Sequence, residues 1–185
     1  YPKRSEFTNG SNFIIKYTED YPVAFLLNVS SLTEYKYGEF YEPNNTCPAG
    51  RNQECSFNIN LNSYNNQEVE YSFLIQDIAE QTIQSKPIKV KVDTTPPKLN
   101  NPSNFWEQDG RYIKFRFDIS EINFDEITYI DHKDSRPREI RLCSSLRYEM
   151  CESKKSFMRG NHNLTISIKD EAGNSDTENL AFTIA

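Results

Sequence analysis

The chain reads as an all-β protein of two tandem sandwiches, and three observations predict this. Its hydrophobic residues alternate with a period of two in short runs. The order of those runs occurs twice. Each copy carries one pair of cysteines with seven residues between them, Cys47 and Cys55, then Cys143 and Cys151.

Length and composition fit this reading. A chain of 185 residues suits two domains, with the boundary placing 1–94 in the first and 95–185 in the second. Only 36% of residues are hydrophobic, yet aromatics reach 13%. Thin sandwiches have small cores and draw buried area from Phe and Tyr. The formal charge of -6 argues against a nucleic-acid partner and against bulk electrostatic docking on anionic lipid. No apolar run is long enough to predict membrane insertion. The sequence starts at Tyr1 without a signal-peptide pattern, which reads as a mature or excised fragment.

The runs follow one another in a fixed order. Phe13 to Tyr17 alternate and lead to Glu19; Ile113 to Ile119 alternate and lead to Glu121. The next run is Val23–Val29 in the first copy and Ile127–Ile130 in the second. The cysteine pair comes next. Then Tyr71, Phe73 and Ile75 precede Asp77 and Ala79, as Leu164, Ile166 and Ile168 precede Asp170 and Ala172. A last run closes each copy, with Ile88, Val90 and Val92 matching Leu180, Phe182 and Ile184. Short strands with polar turns between them, several per copy, predict immunoglobulin-like sandwiches. Between the copies lies Val92-Asp-Thr-Thr-Pro-Pro-Lys-Leu99. Two prolines fix φ, remove two donors and extend the residue before them, which predicts a short, stiff junction.

The repeated spacing favours the bridges Cys47–Cys55 and Cys143–Cys151 over the other pairings. Zinc is the competing reading, but it wants a shorter spacing and four convergent ligands. A short closed loop predicts about 2 kcal/mol per bridge, pinning a local hairpin or loop and not joining two sheets. Persistent disulfides predict an oxidising, extracellular location at the cell surface. Four N-x-S/T sequons, at Asn9, Asn28, Asn44 and Asn163, agree with that location as candidate glycosylation sites.

Strand–Asp-x-Ala-Gly-Asn–strand, over Gly160–Asn174, and Val-Asp-Thr-Thr-Pro-Pro at Val92–Pro97 resemble the tandem immunoglobulin-like repeats of prokaryotic surface proteins and adhesins. The first copy lacks the Gly-Asn, reading Asp77-Ile-Ala-Glu-Gln. The disulfide loop fits the surface proteins of archaea better than bacterial adhesin repeats. The resemblance implies calcium as a possible cofactor, held by Asp77, Asp93 and Asp170. Such an ion needs six to eight oxygens. The competing reading gives these aspartates the job of holding tight turns through side-chain to backbone hydrogen bonds. Glu19 and Glu121 read as polar turn residues in the same way.

Nothing in the sequence assembles a catalytic centre. No Gly-rich phosphate loop, His-Glu-x-x-His or Gly-x-Ser-x-Gly occurs. Of the two histidines, His132 reads as a loop residue and His162 as a packed strand-edge residue. The basic run from Arg136 to Arg141 reads as an exposed strand face, able to pair with an acidic neighbour. The chain therefore reads as non-enzymatic. Tyr35, Tyr37, Phe40 and Tyr41 form a candidate binding surface, with cover for a sheet edge as the alternative. Trp106 is a candidate for packing between the copies. The function that follows is a structural or adhesive segment of a surface protein or filament. Its partners would be neighbouring modules or copies of itself, the latter by strand addition at an exposed edge. The alternatives are a module binding a glycan or a surface protein, and a non-catalytic accessory region of a secreted enzyme.

Overall fold

The computed structural model describes residues 1–38, 46–133 and 135–185. It divides into two compact units, Tyr1–Thr94 and Thr95–Ala185. No helix among the described residues is long and apolar enough to cross a membrane.

In unit 1 the strands are β1 (Phe7–Thr8), β2 (Phe13–Glu19), β3 (Pro22–Val29), β4 (Leu32–Gly38), β5 (Thr46–Cys47), β6 (Gly50–Phe57), β7 (Glu68–Asp77), β8 (Thr82–Gln84) and β9 (Ile88–Val92). One sheet has the order β1-β9-β7-β3-β4-β5, with β8 also on β7. The antiparallel pair β2–β6 forms the other. Alternation decides which face is core. Phe25, Leu27 and Val29 of β3 and Val69, Tyr71, Phe73 and Ile75 of β7 point inward and are buried. They meet Phe13 of β2 and Phe57 of β6, and the Phe13 and Tyr71 rings touch edge to face at 4.9 Å. Burial of each large apolar side chain contributes about 1.5–3 kcal/mol.

In unit 2 the strands are β10 (Lys98–Leu99), β11 (Trp106–Asp109), β12 (Tyr112–Ser120), β13 (Phe124–Asp131), β14 (Glu139–Cys143), β15 (Met150–Ser156), β16 (Gly160–Asp170) and β17 (Ser175–Ile184). One sheet is β14-β13-β16-β17; in the other, β12 pairs with β10, β11 and β15. Ile113, Phe115, Phe117 and Ile119 alternate inward from β12, against Leu164, Ile166 and Ile168 of β16. On the outward face of β12, Lys114 pairs across the sheet with Asp109 and Arg116 with Glu152.

Both disulfides form, Cys47–Cys55 and Cys143–Cys151, each closing a separation of eight residues. Their role differs from the sequence expectation of a pinned hairpin. Cys47 ends β5 in the large sheet of unit 1, while Cys55 lies in β6 of the small one. Cys143 ends β14 in one sheet of unit 2, and Cys151 lies in β15 of the other. Each bridge therefore clasps the two sheets of its sandwich. Eight residues suffice for a corner as well as for a hairpin, and the spacing cannot tell them apart. In unit 2 the corner is made by Arg147 and Met150, which exchange backbone hydrogen bonds across Tyr148 and Glu149, both at positive φ.

Candidate functional site

The Asp-led turns are built alike in both units. In unit 1 the Asp77 carboxylate accepts the Ala79 and Gln81 amides at 2.9 and 2.8 Å. In unit 2 the Asp170 carboxylate accepts the Asn174 amide and its side-chain nitrogen, both at 2.8 Å. Each aspartate's own amide donates to the carbonyl four residues on, Gln81 or Asn174. The carboxylate bonds to backbone amides are those that make an isolated Asp a turn former.

The glutamates recur as a second matched pair. Glu19 accepts the Tyr21 amide at 2.9 Å, and Glu121 accepts those of Ile122 and Asn123 at 2.7 and 3.1 Å. The Tyr21 and Asn123 carbonyls in turn accept from Ile78 and Glu171, just past the two aspartates. So each unit brings its Glu turn beside its Asp turn. In unit 2 the approach is close enough to matter chemically. Carboxylate oxygens of Glu121 and Asp170 lie within 4.8 Å of each other. Asn123, 5% exposed, has neither side-chain nitrogen nor oxygen hydrogen-bonded. Leaving a buried amide without partners costs about 1–3 kcal/mol. Carboxylate and amide oxygens are donors of the kind Ca²⁺ takes, and these supply three of the six to eight it needs. In unit 2, Glu121 and Asp170 are thus the carboxylates placed to meet a cation, with Asn123 in the same turn as Glu121. Asp77 is bound into its own turn, and the Asp93 amide donates to Thr8 at 3.0 Å in unit 1. Sequence reasoning missed Asn123, because nothing in the local pattern says that a turn amide will be buried without partners.

The tyrosines face elsewhere. Tyr35 and Tyr37 alternate onto the outer face of β4, 54% and 45% exposed. Opposite them on β3 stand Leu26 and Ala24. Phe40, Tyr41 and the sequon residue Asn44 lie outside the described residues. Of the other sequons, Asn163 is exposed on β16. Asn9 accepts from Ser11, and Asn28 accepts the Thr33 hydroxyl at 3.0 Å.

Other candidates resolve into structural roles. The Trp106 ring meets Phe182 of its own unit at 6.1 Å between centroids. Phe105 is buried and stacks on Phe117. Arg141 pairs with Glu126 at 2.6 Å. His162 is not at a sheet edge, since β16 lies between β13 and β17. Its imidazole is buried, with Nδ1 at 2.5 Å from Asp131 and Nε2 at 2.7 Å from the Met158 carbonyl. The ring stacks on Phe182 and meets Phe157 edge-on. Asp131 escaped the sequence reading because it sits 31 residues from its partner. His132 is exposed, with Nε2 at 2.9 Å from the Thr165 hydroxyl.

No known protein family matches the chain by sequence, and neither does any curated protein. Solved structures do match by shape. The FN1–FN3 domains of chicken CNTN1 superpose with a TM-score of 0.52 at 8% identity, over 97% of this chain and 65% of that one. Fibronectin(III)-like modules of Clostridium thermocellum CbhA give a TM-score of 0.47 at 12% identity, over 99% of this chain and 90% of that one. At these identities it is the fold that is shared: all-β sandwiches of the immunoglobulin and fibronectin-III type, in tandem.

Proposed function

We propose that this chain is a non-catalytic structural segment of an extracellular surface protein or filament, in which tandem sandwiches space or present something else. One observation carries the reading: each unit has its own core and its own covalent clasp between sheets. A module closed in that way holds its shape without help from its neighbour. It also needs an oxidising compartment to form. The Pro96-Pro97 junction, restricted in φ, supports a spacing role. The reading extends to the sequon asparagines Asn9, Asn28 and Asn163 as glycan carriers. Calcium, at Glu121, Asn123 and Asp170 of unit 2, would then tighten the turns that close that sandwich.

The test is surface labelling of intact source cells with a membrane-impermeant amine reagent, followed by mass spectrometry of this protein. Labelled lysines from both units, and cysteines resistant to alkylation before reduction, are expected. A protein labelled only after cell lysis, with four alkylated thiols, would overturn the reading.

A further inference from the structure

The outer face of the large sheet in unit 1 has a composition that a spacer does not need. Cross-strand partners share a face, so the register alone assembles it. One row runs Tyr35, Leu26, Leu74, Gln84 across β4, β3, β7 and β8. The next runs Tyr37, Ala24, Gln76, Thr82 across the same strands. The aromatic rings stand at one side and the amides and hydroxyl at the other, with an aliphatic floor between. Leu26, Leu74 and Ala24 are each half-buried, so the floor is neither core nor open solvent. Neither row holds a carboxylate, an ammonium or a guanidinium. In a chain whose charged residues make up 26% of the sequence, eight neighbouring positions without one set this face apart. The outer face of the β11-β12-β15 sheet in unit 2, by contrast, carries several ion pairs.

Size and chemistry then select the occupant. Four strands about 4.8 Å apart and two rows about 7 Å apart make a platform of roughly 200 Å². A stable protein partner, a second copy included, needs about 800 Å² per side. The platform is too small for that and large enough for a short oligosaccharide. Pyranose rings present apolar C–H faces that stack on tyrosine and hydroxyls that pair with amides. An acidic glycan would need a cation to meet its carboxylates or sulfates, and the rows offer none. We propose that this face binds a neutral glycan chain, stacked on Tyr35 and Tyr37 and hydrogen-bonded by Gln76, Gln84 and Thr82. This site goes beyond the spacer reading and does not depend on it.

The experiment is isothermal titration of the disulfide-intact chain with cellohexaose, xylohexaose and mannohexaose, beside hexamers of polygalacturonate. At least one neutral hexaose is expected to bind with Kd below about 1 mM, and the acidic one not to. Tyr35→Ala and Tyr37→Ala should each weaken binding at least about tenfold, while Tyr37→Phe, which keeps the ring, stays within about threefold. Tyr148→Ala, which removes an exposed ring of unit 2, should leave binding unchanged. If Tyr35→Ala lowers the melting temperature of the unit, the exposed Thr82→Glu serves instead and should also weaken binding. The proposal is overturned if no neutral hexaose titrates, if the acidic hexamer binds better, or if binding survives loss of both tyrosines. Concentration-dependent dimers that disappear in the double variant would assign the face to a second copy and overturn it as well.

Discussion

Glu80 of unit 1 and Gly173 of unit 2 hold the same place, fourth in their Asp-led turns, with φ of +61° and +91°. The two turns close with the same backbone bonds, from the fourth residue's amide to the Asp77 or Asp170 carbonyl. Only one uses the residue suited to the left-handed region. A side chain there costs about 1–2 kcal/mol. Glycine's extra freedom in the unfolded chain returns part of this. Glu80→Gly should therefore stabilise unit 1 by about 0.5–1 kcal/mol, and Gly173→Ala should destabilise unit 2 by about 1 kcal/mol. Urea midpoints of the variants check both; a loss of stability in Glu80→Gly would contradict the shared geometry.

The two clasps should differ in how easily they are reduced. Cys47 and Cys55 are both buried, whereas Cys143, bridged to the buried Cys151, is half-buried. Thiolate attack needs access to sulfur. Under native conditions with dithiothreitol, Cys143–Cys151 is expected to open first, as time-resolved alkylation and mass spectrometry would show. Replacing either pair by serine should cost about 2.5 kcal/mol from loop-closure entropy alone. Opening of Cys47–Cys55 first would mean that unit 1 breathes more than its packing indicates.

Calcium at unit 2 makes a paired prediction. Millimolar Ca²⁺ should raise the melting temperature of unit 2 over chelator by a few degrees, since a ligand binding only the folded state stabilises it by mass action. Glu121→Gln keeps the acceptor for the Ile122 and Asn123 amides and should abolish the rise. Asn123→Leu should abolish it too, and in chelator should gain about 1 kcal/mol by removing a buried amide without partners. Identical melting curves with and without the ion would remove calcium from this chain.

At high pH the first unit should fail through Tyr71. Burial, with Glu6 nearby, pushes its phenol up to about 12 from the ordinary 10.0. Its hydroxyl donates to the Pro2 carbonyl at 2.5 Å. The folded state thus keeps a proton that the unfolded chain gives up. The stability from this group is whole below pH 10 and is lost as pH rises toward 12. The loss amounts to about 2 kcal/mol. Tyr71→Phe should start lower by about 1 kcal/mol at neutral pH, for the lost hydrogen bond. Its stability should then fall less between pH 9.5 and 11.5 than that of the parent. Parallel declines in chemical-denaturation series would rule Tyr71 out as the cause.

What was legible in the sequence was what repeats. The runs ending at Glu19 and Glu121, and those ending at Asp77 and Asp170, carry period-two alternation, so strands and turns could be read from them. The first unit lacks the Gly-Asn after Ala79 and keeps the turn all the same. Glu80 takes the left-handed φ, and the Asp77 carboxylate accepts the amide four residues on, as that of Asp170 does. The direction of the clasps was illegible for a different reason. Whether Cys143 and Cys151 flank a hairpin depends on which sheet each strand joins, and that is decided by distant partners such as Ile127 and Phe117. Asn123 and the Asp131–His162 contact were hidden likewise, since burial and long-range approach leave no local pattern.

The clasps have one more consequence, which concerns pulling. If a unit is stretched from its ends, the residues between its cysteines stay folded back and add nothing to the extension. A separation of eight residues withholds only about 25–28 Å of contour. That is a small share of a unit of some ninety residues. The bridges are therefore poor limiters of length, and an unfolded unit would still run out to most of its reach. What they do change is the order of rupture. The strands on either side of the corner cannot part, so a stretched unit must yield elsewhere first, at the chain-terminal strands. Reduction would let the corner open in its turn and release the withheld length.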